Sequence, residues 1–121
     1  MELIDEIEEL IMMHQEGPYW DFKREWYDDS KDGDLLIDII CMANNLVDRD
    51  AYIIIGVNEE CDYAIQDVSQ DANRRNTQML TDFIRGKKFA GDFRPVVTVE
   101  QVHLDGGLVD VIVVHNSINT P

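Results

Sequence analysis

The sequence predicts an α/β domain, an α+β mixed sheet with helices packed against it, in the element order α-β-α-β-α-β-β. Three observations carry the fold class. Leu3, Ile4, Ile7, Leu10 and Ile11 recur at helical spacing among acidic residues. Ile53-Ile54-Ile55 forms an apolar centre within Ala51 to Val57, the pattern of a strand covered on both faces. Finally, the apolar runs Val96 to Leu104 and Leu108 to Val114 flank Asp105-Gly106-Gly107, a hairpin signal. At 121 residues, 45% hydrophobic and 29% charged, the chain has the length and composition of one globular domain rather than of a disordered segment.

Taken in order, the first helix runs from Glu2 to about His14, and Gly17-Pro18 ends the unit. Trp20, Phe22 and Trp26 then alternate with Asp21, Lys23 and Glu25, the period-two pattern of a half-buried strand. Asp21 and Lys23 therefore share one face, and Trp20 and Phe22 belong to the core on the other. A polar loop over residues 27–33 leads to Asp34, the expected N-cap of a second helix carrying Leu35, Leu36, Ile39, Ile40, Met42, Ala43, Leu46 and Val47, buried on most sides. Ala51 to Val57 follows as the expected centre of the sheet, with Gly56 marking a close backbone approach or a bulge. A third helix over residues 71–85 turns Ala72, Met79, Leu80, Phe83 and Ile84 inward, Arg74, Gln78 and Arg85 outward, and stops at Gly86. The β-α-β order favours parallel neighbours, and the final hairpin completes the sheet.

Charge narrows the function classes. Twenty-five acids face ten Lys and Arg, for a formal net charge of -15, which repels polyanions over most of the surface. Six of the ten basic residues, however, fall between positions 74 and 94: Arg74, Arg75, Arg85, Lys87, Lys88 and Arg94. That stretch is either a directed anion contact or a solvated face. Cys41 and Cys61 provide neither a disulfide framework nor zinc-ligand spacing. His14, His103 and His115 are scattered, with no paired nucleophile. No apolar run is long enough to span a membrane and no signal peptide opens the chain, so a cytoplasmic protein without a membrane partner is expected.

Three stretches resemble one family in order and spacing: Glu16-Gly17-Pro18-Tyr19-Trp20-Asp21-Phe22-Lys23, Ile39-Ile40-Cys41-Met42-Ala43-Asn44-Asn45, and Tyr52-Ile53-Ile54-Ile55-Gly56-Val57-Asn58-Glu59. They are similar to the Schlafen-type, AlbA-like DNA-binding domain, in which a Glu precedes Glu-Phe-Lys, a helix ends in Ala-Asn and a strand ends in Ile-Ile-Gly-Val before an acidic residue. Pro95, Gly106-Gly107, Val111 to Val114, Ser117 and Pro121 fall where that pattern has equivalents, so the resemblance covers residues 10–121. Asp21 stands where the family usually has Glu, and Leu46 to Ala51 replaces the usual paired glycines, so that turn needs another geometry. The chain stops where the pattern would enter a further strand, which suggests an N-terminal piece of a longer protein.

The resemblance implies a nucleic-acid (DNA) binding domain of a transcription-regulator-like protein, working as a homo-oligomer. In the Schlafen branch it implies instead a metal-dependent endoribonuclease, with Glu16, Asp21 and Glu59 holding Mg2+ or Mn2+ and Lys23 beside Asp21. Three hard carboxylate ligands suit either ion. A protein-interaction or oligomerisation domain without nucleic-acid activity is the third reading, and the net charge is its best argument. Lys23 either meets a phosphate or neutralises Asp21, and Asn44 is expected to cap or bridge backbone groups.

Overall fold

The computed structural model describes residues 2–45, 47, 49–87 and 95–115. Its elements are α1 (Leu3–Met12), β1 (Trp20–Lys23), α2 (Asp32–Ala43), β2 (Ala51–Ile55), β3 (Val57–Asn58), β4 (Ala64–Ile65), α3 (Thr77–Arg85), β5 (Val97–Leu104) and β6 (Gly107–Val114). Short 3-10 turns at Asp29–Lys31 and Glu59–Cys61 precede α2 and β4.

The four main strands lie in the order β1-β2-β6-β5. β1 and β2 are parallel, with Trp20 opposite Tyr52 and Lys23 opposite Ile55. β6 runs antiparallel to both β2 and β5. Asp105-Gly106 forms the two-residue loop between paired Leu104 and Gly107, and Gly106 adopts a φ of 102° that a side chain disfavours. β2 is buried at every position, as its unbroken apolar sequence requires. It shares the centre of the sheet with β6.

Helices cover both faces. On one, Ile7 and Leu10 of α1 pack with Trp20, Phe22, Tyr52, Ile54, Val109 and Val111. On the other, Leu35 and Ile39 of α2 and Leu80 and Ile84 of α3 pack with Ile53, Ile55, Ile112 and Val114. The alternation along β1 thus sends its two aromatics toward α1 and leaves Asp21 and Lys23 facing the α2 side.

Several expected boundaries move. β1 stops at Lys23, because Trp26 leaves the alternation to donate its Nε1–H to buried Asp110 at 2.8 Å. α2 begins at Asp32, so Asp34 lies in its first turn rather than at its cap, and Ile37 is 59% exposed. This helix buries one side only. α3 begins at Thr77, where Asn76 caps it by accepting from Met79 N–H at 2.8 Å; residues 71–76 are not helical, and Met79 is 49% exposed. The turn that replaces the paired glycines is built by Asn45. Its amide donates to Met42 O and Arg49 O, and its carbonyl accepts from Val47 N–H and Arg49 N–H. The bridging role expected of Asn44 thus belongs to the next residue.

Candidate functional site

The parallel strands β1 and β2 end side by side, and there the chain makes its tightest turn. Gly56 has a φ of 115°, and a Cβ on it would stand 3.0 Å from Gln66 O. A side chain at this position would meet both strain and collision. Gly56 N–H donates to Lys23 O at 2.7 Å, so the backbone leaves β2 across the end of β1 and enters the small β3–β4 hairpin. Asn58 accepts from Glu60 N–H at 3.0 Å and starts the 3-10 turn that presents Glu59.

Glu16 arrives from the opposite direction. β1 is an edge strand, and the loop from α1 folds back along it: Gly17 N–H donates to Trp20 O at 3.2 Å, and Glu16 Oε2 accepts Phe22 N–H at 3.2 Å. Gly17 lies against the Trp20 indole so closely that a Cβ would come within 2.2 Å of the ring. One oxygen each of Glu16, Asp21 and Glu59 consequently lie within 4.8 Å of one another. Three positions spread over 44 residues are brought to one point by the strand ends, the edge loop and the turn at Gly56.

The cluster is electrostatically crowded. Partial desolvation, repulsion from Glu16 and a hydrogen bond shared with it push the Glu59 carboxyl above its ordinary range, against the pull of Lys23. Tyr63 is also shifted upward, by desolvation and by Glu59, Glu16 and Asp62. Lys23 Nζ stands 3.4 Å from Asp21 and 3.5 Å from Asp38. Tyr27 OH donates to Asp38 at 2.6 Å, and its burial together with that carboxylate pushes the phenol far above its usual range. The rim is held by His14, which stacks on Tyr63 at 4.7 Å between ring centroids and lies 3.4 Å from Asp62. His14, Asp62 and Tyr63 are the non-glycine residues with positive φ among those described, so backbone strain is concentrated around the carboxylates.

The donor set fits a small divalent cation. Oxygens on opposite sides of an ion lie about 4.2 Å apart for Mg2+ and about 4.8 Å for Ca2+, and the three carboxylates meet that spacing with at most a small rotamer adjustment. All three are hard oxygen ligands.

The four described cations of the basic stretch, Arg74, Arg75, Arg85 and Lys87, have different surroundings. Arg74 makes a two-pronged pair with Asp110, Nε to Oδ2 at 2.9 Å and the second nitrogen to Oδ1 at 3.0 Å, and Asp110 is 1% exposed. Arg75 is turned onto Asp32 at 2.6 Å and over the Phe83 ring, with 11% of its side chain exposed. Both serve packing. Arg85 is exposed on α3, 3.6 Å from Asp82, and Lys87 lies over Phe83 at 4.7 Å. Lys88 and Arg94 lie outside the described residues. Sequence reasoning passed over Arg24 and Lys31, which flank the carboxylates' strand, and the rim pair His14 and Tyr63. Their nearness to Asp21 and Glu59 in sequence was the available signal.

A mixed sheet with helices on both faces defines an α/β domain, and the family match makes it a nucleic-acid-related one. A family model described as Schlafen, AlbA_2 matches residues 16–121, and the chain belongs to that family. Neither curated proteins nor solved structures give a match. Among the described residues, no helix is long and apolar enough to cross a membrane.

Proposed function

We propose that this domain is a divalent-cation-dependent nuclease acting on RNA, with Glu16, Asp21 and Glu59 as the ion's ligands. The observation that carries the reading is their mutual approach within 4.8 Å. Mg2+ or Mn2+ at these oxygens would activate a water and offset charge building on the phosphodiester.

The chain's own residues prepare the rest. Phe22 N–H fixes one oxygen of Glu16, leaving the other for an ion. Lys23 steadies Asp21 and presents an ammonium to a substrate phosphate, while Asp38, anchored by the Tyr27 hydroxyl, orients that ammonium. The Glu59 carboxyl is raised above its ordinary value, so the ion competes with a proton there and binding tightens as pH rises through the carboxyl's folded value.

The test incubates structured RNA with the protein and each divalent ion beside an Asp21→Asn variant. Cleavage by the parent and loss of it in the variant supports the reading. Equal cleavage by both means a contaminant. No cleavage by either overturns the nuclease and leaves the resemblance's other implication, a nucleic-acid-binding domain.

A further inference from the structure

We propose that a single nucleic-acid strand enters the carboxylate site through the cleft between the end of β1 and the start of α2, with its phosphates on Arg24 and Lys31 and a base against Ile37. The inference rests on the reading of the carboxylates as a nucleic-acid-processing site, and it assigns the cations that hold the substrate.

The cleft has a volume of about 430 Å3 and is lined by Lys23, Arg24, Lys31, Tyr27 and Ile37, with acids discussed below. Arg24 also lines the adjoining depression that holds Asn58, Glu59 and Glu60. The two concavities therefore share Arg24 in their walls, with Glu59 lining one and Lys31 the other.

The partners of the cations leave Arg24, Lys31 and Arg85 the most open, and of these Arg24 and Lys31 line the cleft. Arg49 is held by Glu6 at 2.7 Å and lies over the Tyr19 ring. Arg74 and Arg75 are taken by Asp110 and Asp32, and Lys23 is shared by Asp21 and Asp38. The contact of Arg24 is different: a 3.9 Å approach to Glu25, its neighbour in the chain, with 54% of the side chain exposed. Lys31 is exposed, and its charge acts on Asp28 across a short, exposed turn, helping to lower that carboxyl. An incoming phosphate gains most from a cation that gives up little to meet it.

The cleft's other residues fit a strand rather than a duplex. Its volume lies near the lower end of the range for small-molecule pockets, about 300–1,000 Å3, which admits a nucleotide and excludes a double helix. Ile37 is an exposed apolar side chain in a polar cleft, a surface for a base face, while the cations follow the backbone as in single-strand channels. Asp38 is already satisfied by Tyr27 OH and Lys23. Glu25 and Asp34 remain, and they limit affinity, so binding leans on both cations and falls steeply with salt.

The experiment is fluorescence anisotropy with labelled oligouridylate and oligothymidylate of about eight nucleotides, in EDTA and in Ca2+ at about 50 mM salt. The proteins are the parent chain, Arg24→Glu/Lys31→Glu, Ile37→Ser, Arg85→Glu/Lys87→Glu and Asp21→Asn, each checked for an unchanged melting temperature. All the changed side chains except Asp21 lie outside the carboxylate cluster. The expected result is a loss of at least about tenfold in affinity for Arg24→Glu/Lys31→Glu, with the salt slope reduced by about 1.4 for two lost phosphates on a single strand. Ile37→Ser should lose about threefold, and Arg85→Glu/Lys87→Glu should stay within about twofold. The RNA and DNA arms identify which strand is held. No binding by the parent, or equal loss in both charge-reversed proteins, overturns the proposal. Binding that depends on Arg24 and Lys31 without cleavage by any protein upholds the cleft and removes the nuclease. Cleavage that survives Arg24→Glu/Lys31→Glu at the parent's KM does the reverse.

Discussion

Glu59→Gln should make the metal-free protein more stable and deprive it of its response to divalent ions. With oxygens within 4.8 Å, two carboxylates repel by about 0.9 kcal/mol even at the dielectric constant of water. Glu59 faces both Glu16 and Asp21, for about 1.7 kcal/mol of repulsion, and Lys23 offsets part of it. The cluster is open to solvent, so the high, water-like end of the dielectric range applies, and the net relief is about 1 kcal/mol. For a chain of 121 residues that corresponds to about 3–5 °C in melting temperature. The parent should instead gain about 2.7 kcal/mol from Mn2+ at about 100 times its dissociation constant, and the variant far less. The pH dependence has a definite sign. A carboxyl raised in the folded state contributes stability below its ordinary value of 4.5 and loses it as pH climbs through the folded value. The metal-free parent should therefore weaken over that interval, Mn2+ should restore it, and Glu59→Gln should lack this component. Melting curves from pH 4 to about pH 8, with and without Mn2+, measure all three. A metal-free Glu59→Gln protein that melts below the parent, or a parent indifferent to Mn2+, would refute the reasoning.

Arg74→Met should destabilise by about 3 kcal/mol, the lower end for a broken buried pair because the arginine is partly open to solvent, leaving Asp110 with the Trp26 indole as its remaining partner. Urea unfolding measures the loss, and adding Asp110→Asn should recover part of it. A change under about 1 kcal/mol would return Arg74 to the surface cations. Tyr27, and Tyr52 with its phenol pushed up to about 12, should stay protonated in the folded protein at about pH 11. They contribute stability that is present below the ordinary 10.0 and lost as pH rises through the folded values. Ultraviolet titration should show their phenolate signal rising together with alkaline unfolding, and a smooth rise well before unfolding would contradict the burial and carboxylate contacts assigned to both.

Legibility in the sequence followed the length scale of the cause. The alternation of Trp20 to Lys23, the unbroken apolar run of β2 and the Asp105-Gly106 turn are local patterns, and each produced an element, although the strand expected over Ala51 to Val57 ends at Ile55 and Val57 opens a second, two-stranded sheet. β3 and β4 have two residues apiece, too few to show a period, and they exist because Gly56 can turn where other residues would collide. Apolar spacing carried the third helix back to residue 71, whereas the cap supplied by Asn76 fixes its start at Thr77. The carboxylates came from the family resemblance, since 25 acids in 121 residues hide any three of them. Density of charge along the chain misled for Arg74, whose partner Asp110 is 36 positions away. It hid Arg24 and Lys31 in an acidic segment.

The order of the strands also sets the order in which the molecule can be made. The three carboxylates and the turn that joins them are all synthesised within the first 59 residues, yet β2, which carries their platform, is flanked on its inner side by β6, made from residues 107–114. A nascent chain that has exposed β1 and β2 still lacks the neighbour that buries Ile53 and Ile54, and a long-range pairing of this kind forms slowly and late. Until residues 107–114 have been made and paired, the strand beneath the three carboxylates lacks its inner neighbour, and the platform that gathers them is incomplete.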